Sequence, residues 1–287
     1  MATEVYVATA ASRPQSLPST VDSHIDDRPE RKRVAIGDIF VDNVDLSTAV
    51  EQIDEFVGSG QPHQVVTVNL DFVSIASREP SFRTTVNHAD LAVADGMPLV
   101  WLSRLRGQPL AERVAGVELV TESCRLAASR GASVFLLGAA SEIAEAAAHR
   151  LETMWPGLRI AGFYSPPMGP LEGVENERIV GMIREAAPDL LFVALGAPRQ
   201  DLWIRENQPD LRVPVAMGVG CVFDVLAGSV RRAPVWMQRT GLEWAFRLLQ
   251  EPQRLWRRYL VNDLPLLARL AIGSSDSTSP DRMAVSS

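Results

Sequence analysis

The run SVFLLGAASEIAEAAAHRLETMWPGLRIAGFY, residues 133–164, reads as strand, helix, strand. SVFLLG is apolar at successive positions, as expected of a parallel strand covered by helices on both faces. The helix predicted over Ser141–Met154 opens on Ser141, with Glu142 and Glu145 in its first turn. RIAGFY (159–164) follows as the second strand of a βαβ unit. Working outward, QVVTVN (64–69), DLAVAD (90–95), LLFVALG (190–196) and VPVAMGVG (213–220) have the same strand character. Between them the pattern predicts helices at Leu46–Val57, Gly116–Ser129, Asn176–Ala186 and Pro198–Asn207, with Pro198 at a first helical position. The alternation predicts an α/β fold with Rossmann-like layered parallel sheets. Ligands of such sheets bind where strands end and helices begin, so the residues just after the strands are the candidates for function.

The chain has 287 residues, 46% of them hydrophobic, enough for a large core in one domain or two closely joined ones. The expected organisation is a flexible leader (1–32), an α/β core (33–235), a basic amphipathic helical appendage (236–271) and a flexible tail (272–287), the ends being rich in Ser, Asp and Pro. A formal net charge of -7 argues against general nucleic-acid binding, which needs a broad basic face, so an anionic ligand must be met by a local cluster. Cys124 and Cys221 fit neither a disulfide scaffold nor a zinc motif, and a reducing cytosol is the expected compartment. No apolar run reaches the roughly 18 residues of a spanning helix, and residues 1–33 lack a signal-peptide core.

Asp95, at the end of DLAVAD, could act as a general base, accepting a proton from an attacking hydroxyl. Asp-Gly after a strand is also an ordinary turn. Thr67 and Asn69, at the end of QVVTVN, would then orient a substrate, or else cap the strand end. Arg113 could grip a diphosphate through its planar fork or lie solvated on the surface. Gly138, Gly218 and Gly220 could admit a phosphate to a helix N-terminus, although neither GxGxxG nor GxxxxGK[ST] is present. Gly196 and Pro198 suit a turn, whereas the Gln200 amide beside them could bind a base or sugar. Asp224 as a metal ligand has little support, since there is no DxD pair and the histidines are scattered; arginines such as Arg232 neutralising a leaving phosphate fit better.

From residue 239 to 269 there are six arginines (Arg239, Arg247, Arg254, Arg257, Arg258, Arg269) against three acids (Glu243, Glu251, Asp263). Pro252 separates two helical pieces with apolar faces. Such a basic amphipathic end suits an anionic membrane surface, or a helix pair docked on the core with its arginines solvated. Arg254, Arg257 and Arg258 could also close over a bound diphosphate.

TVN (67–69), ADG (94–96), RVAGVEL (113–119), LGAPRQDLWI (195–204), GVGCVFDVLAG (218–228), RRAP (231–234) and GLEWAFRLLQEPQRLWRRY (241–259) together resemble the WecG/TagA/CpsF family of bacterial glycosyltransferases. The resemblance covers roughly residues 34–262. It implies an inverting, metal-independent enzyme, without cofactor, that moves an N-acetylmannosamine-type or related hexose from a UDP-sugar to a polyprenyl-diphosphate-linked acceptor in cell-surface polysaccharide synthesis. It further implies Asp95 as catalytic base with Thr67 and Asn69 beside it, and roles for Arg113 and Gln200 in substrate binding or catalysis. The appendage would bind the inner face of the cytoplasmic membrane and supply arginines to the site, with a homo-oligomer as an expected partner state. Asp201 stands where the family often has Glu, and Cys221 where a small residue is usual.

Two rival readings make different predictions. A non-catalytic UDP-sugar sensor or membrane scaffold would bind donor without turnover. An oxidoreductase would bind nicotinamide, which the missing glycine fingerprint disfavours.

Overall fold

The computed structural model describes residues 6–7, 31–167, 169–257, 261 and 263–272, with backbone alone at residues 6, 7, 239, 254 and 255. The rest of the leader, residues 273–287 of the tail, and Arg258 lie outside the described residues. The first half of the chain runs β1 (Tyr6–Val7), β2 (Arg33–Ile36), β3 (Ile39–Asp42), α1 (Leu46–Ser59), β4 (His63–Val68), α2 (Leu70–Ala76), α3 (Pro80–Asn87), β5 (Leu91–Ala94), α4 (Met97–Leu105) and α5 (Gly116–Arg130). The second runs β6 (Ser133–Gly138), α6 (Ser141–Met154), β7 (Arg159–Tyr164), α7 (Gly173–Ala186), β8 (Leu190–Ala194), α8 (Arg199–Leu211), β9 (Val215–Gly218) and α9 (Val222–Leu226). Among the described residues four short helices end it: α10 (Val235–Arg239), α11 (Glu243–Gln250), α12 (Pro252–Trp256) and α13 (Leu264–Ile272).

Among the described residues, seven strands form one sheet in the order β1-β7-β6-β8-β9-β4-β5. Strands β4 to β9 are mutually parallel, and β1 pairs antiparallel with β7 at the edge. Alternate residues of each strand point to opposite faces. Val65, Leu91 and Val93 therefore join one core with α1, α5 and α6, while Val66, Ala92 and Ala94 join another with the β2–β3 hairpin and α2 to α4. Phe135, Leu191 and Val193 enter a third core beneath α7 and α8. With both faces covered, the strands have no reason to alternate with polar residues, which accounts for their continuous apolar sequence.

The expected strands and helices are present with ends shifted by a few residues, and the layered α/β architecture is that expected. Helix α6 spans Ser141–Met154 as expected, whereas Pro198 is the N-cap of α8, one residue ahead of the first helical position. The hairpin and α2, α3 and α4 were not anticipated. The hairpin is fastened by Asp42, whose Oδ1 accepts from Arg33 Nε at 3.0 Å and whose Oδ2 accepts from the Ala92 amide at 2.8 Å.

Strand order reverses at the β9–β4 boundary, since β4 proceeds to β5 on one side while β6 to β9 lie on the other. The C-terminal ends of β8, β9, β4 and β5 face one crevice there, each followed by a helix.

Candidate active site

That crevice is a cavity of about 840 Å³, walled by the strand ends and roofed by the segment holding α10, α11 and the start of α13. Thr67, Asn69, Asp95, Arg113, Gly196, Gln200, Gly220, Asp224 and Arg232 all line it.

Asp95 follows β5, where its amide donates to Val68 O at 2.7 Å and so anchors it to β4. The residue is half-buried and opens on the cavity. Burial pushes its carboxyl up to about 7, against the pull of Arg113 and Arg247; Glu243 pushes it further up, and a hydrogen bond from the Gly116 amide holds it back. A carboxylate with that value is poised to exchange protons near neutrality.

Its neighbours on β4 do local work. Thr67 Oγ1 donates to Gly218 O at 3.1 Å, crossing to β9. Asn69 is the N-cap of α2, with Oδ1 accepting from the amides of Asp71 at 3.0 Å and Phe72 at 3.3 Å. The Asn69 amide nitrogen is not needed for that cap. Gln200 is buried at the first turn of α8, and its Oε1 accepts from the amides of Gly196 at 3.1 Å and Gly220 at 3.0 Å. One side chain thus sets the spacing of the two loops after β8 and β9 through its amide oxygen.

Beside Asp95 lies a cluster of ion pairs. Arg113 Nη1 meets Glu243 Oε2 at 2.7 Å, and Arg232 Nη2 meets Glu118 Oε1 at 2.8 Å. Glu243 Oε1 also lies 3.9 Å from Arg232 Nε and 4.0 Å from Arg247 Nη2. Arg247 Nη1 donates to Cys221 Sγ at 3.1 Å. Three guanidinium groups against Glu118 and Glu243 leave one net positive charge before Asp95 is counted. Arg247 and Glu243 were not among the expected site residues. Their charges were visible in GLEWAFRLL, at i and i+4 on one helical face, but nothing local says that this face turns toward Asp95.

Three expected positions fall outside the lining. Gly138 has φ +108°, and a Cβ there would lie 2.5 Å from Ala194 O, so its small size serves the contact between β6 and β8. A Cβ on Gly218 would lie 2.4 Å from Asp201 Oδ1 and 2.6 Å from Gln200 Nε2, so that glycine makes room for the start of α8. Arg257 is exposed, with its guanidinium 5.4 Å from the centroid of the Trp256 ring. The side chain of Arg254 lies outside the described atoms, as does Arg258. Asp224 presents its backbone oxygen to the Val230 amide and the Ser229 hydroxyl at 3.1 and 2.9 Å. Among the described residues no group of three or more His, Cys, Asp or Glu could hold a metal ion. Nor is any described helix long and apolar enough to cross a membrane.

A parallel α/β sheet with a carboxyl of raised pKa and clustered arginines in the cavity at its strand ends has a site suited to an anionic ligand. Residues 34–278 match the Glycosyl transferase WecG/TagA/CpsF family, and the chain belongs to it. It is 32% identical over 235 residues to the N-acetylglucosaminyldiphosphoundecaprenol N-acetyl-beta-D-mannosaminyltransferase of Staphylococcus aureus strain MW2, spanning 81% of this chain and 91% of that protein. The protein of the same name from strain NCTC 8325 / PS 47 matches to the same extent, 32% over 235 residues, 81% of this chain and 91% of its own.

Proposed function

We propose that this glycosyltransferase moves an N-acetylmannosamine-type or related hexose from a UDP-sugar to a polyprenyl-diphosphate-linked sugar, with inversion and without a metal ion. The observation that carries this reading is Asp95, raised to about 7, in one cavity with Arg113, Arg232 and Arg247. The Asp95 carboxylate takes the proton of the acceptor hydroxyl. The acceptor oxygen then attacks the anomeric carbon from the face opposite the nucleotide, and the bond from that carbon to the diphosphate oxygen breaks. UDP departs with the bonding pair, and its new negative charge is met by the guanidinium groups, the task a divalent cation performs elsewhere. The Asn69 amide nitrogen is suited to orient a sugar hydroxyl. The Thr67 hydroxyl, committed to Gly218 O, positions β4 against β9.

The part from residue 236 onward acts, on this reading, as an appendage that rests on the inner face of the cytoplasmic membrane. Trp236, Leu249, Trp256, Val261 and Ile272 are exposed there beside several arginines, a composition suited to an anionic interface. The acceptor named for the relatives is lipid-linked, which supports the same location.

The test is a transfer assay with EDTA present, a short-chain lipid-diphosphate sugar acceptor and a panel of UDP-sugars. Product from one donor supports the reaction and identifies the sugar. Tight UDP-sugar binding without product from any donor would favour the sensor reading.

A further inference from the structure

A second cavity, of about 300 Å³, opens between α4 and α13. Its lining is wholly apolar: Trp101, Leu102 and Leu105 from α4 face Leu264, Leu267 and Ala268 from α13. These positions recur at helical spacing on each helix, so two apolar stripes face one another across a slot. Trp101, Leu264 and Leu267 also line the main cavity, so the slot and the arginine-bearing chamber share a wall. Helix α13 is anchored to the body at two points. Leu266 is buried in the core beneath the hairpin, and Arg106 Nη2 donates to Leu270 O at 3.2 Å, fastening α13 to the end of α4. The closeness of Gly241 to the ring of Trp101 fixes that side chain at the junction.

A charged chamber leading into an apolar slot is complementary to an amphiphile with an anionic head and a hydrocarbon tail. We propose that the slot holds the first isoprene units of the lipid-linked acceptor while the diphosphate and sugar lie in the main cavity. The inference rests on the proposed transfer to a polyprenyl-diphosphate acceptor and adds where the chain of that acceptor runs.

The test uses detergent-free solution and acceptors carrying the same sugar diphosphate on dimethylallyl, geranyl or farnesyl tails. Each buried methylene adds about fourfold to binding, so kcat/KM is expected to rise by about tenfold or more per isoprene unit until the slot is full. Ala268→Trp, at an exposed position that lines the slot but not the main cavity, blocks the slot and removes that gradient, with the donor KM unchanged. Leu105→Ser, also exposed, lowers the gradient without filling the slot, and serves if the tryptophan variant does not fold. A gradient absent from the wild type, or intact in both variants, overturns the proposal. Variants that lose binding to anionic vesicles while keeping the gradient would make this a membrane-facing surface instead, which also overturns it. Should the wild type transfer no sugar to any acceptor, the functional reading fails separately, and the slot is read by calorimetry. Farnesyl diphosphate should then bind at least tenfold more tightly than inorganic diphosphate, and Ala268→Trp should abolish the difference; equal binding overturns the slot.

Discussion

Arg113 Nη1 and Glu243 Oε2 lie 2.7 Å apart in the wall of the cavity, joining the loop before α5 to the first turn of α11. The pair places a carboxylate among the guanidinium groups that the proposed mechanism needs for a leaving diphosphate. It also couples the C-terminal helices to Asp95 electrostatically, since Glu243 raises the Asp95 pKa and Arg113 and Arg247 lower it.

Glu243→Gln removes that negative charge, so Asp95 ionises at lower pH. The base works ionised, so kcat/KM rises with pH through about 7 in the wild type. In the variant this acid limb should move to lower pH. A pH–rate profile of kcat/KM decides it, and an unmoved limb separates Glu243 from the Asp95 titration.

Gly218→Ala drives a methyl group into Asp201 and Gln200, both buried. Over-packing of this kind costs about 1–3 kcal/mol. Gln200 holds the Gly196 and Gly220 loops, so the midpoint of thermal unfolding should fall and UDP affinity should weaken with it. Gly138→Ala should lower the midpoint as well, through its positive φ and the Ala194 carbonyl, but leave UDP affinity of the folded protein intact. Denaturation curves and UDP titrations of both variants separate the two cases. Equal losses of affinity would mean that distance from the cavity does not matter.

How much of this was legible in the sequence differs from element to element. Strands β4 to β9 were readable because burial on both faces leaves an uninterrupted apolar run, and Asp95 was readable because it ends one of them. Helices α2 and α4 were not. LDFVSIA is buried on nearly every side, so it carries no polar stripe with a 3.6-residue period, and in MPLVWLSRL the stripe is too short to stand out. Arg247 and Glu243 were visible as charges on an amphipathic helix, yet their approach to Arg113 and Glu118 is a long-range packing outcome. Gln200 was singled out for a ligand, and its buried site against two loop amides comes from the juxtaposition of β8 and β9, which no local pattern encodes.

Asp201 gives stability a distinctive pH dependence. It is fully buried, and burial, partly offset by the Gln200 amide, pushes its carboxyl up to about 7 from 3.8. A carboxyl whose folded pKa lies above its unfolded value binds more protons in the folded state between the two. Its contribution is therefore fully present below about pH 4 and is lost as pH rises to about 7, by roughly 4 kcal/mol. Asp201→Asn should remove that part of the slope, leaving the part due to Asp95, which has the same sign. Urea unfolding at pH 5 and pH 8 measures it; an identical slope in wild type and variant would mean that Asp201 is ionised throughout.

The central claim is that Asp95 accepts the proton of the acceptor hydroxyl. The most direct measurement is the single-turnover rate of sugar transfer by Asp95→Asn at pH 8, with UDP-sugar bound to saturation and folding verified. The account predicts a loss of about 10²–10⁴-fold with donor affinity retained, the range expected for removal of a general base. Transfer at the wild-type rate would contradict it.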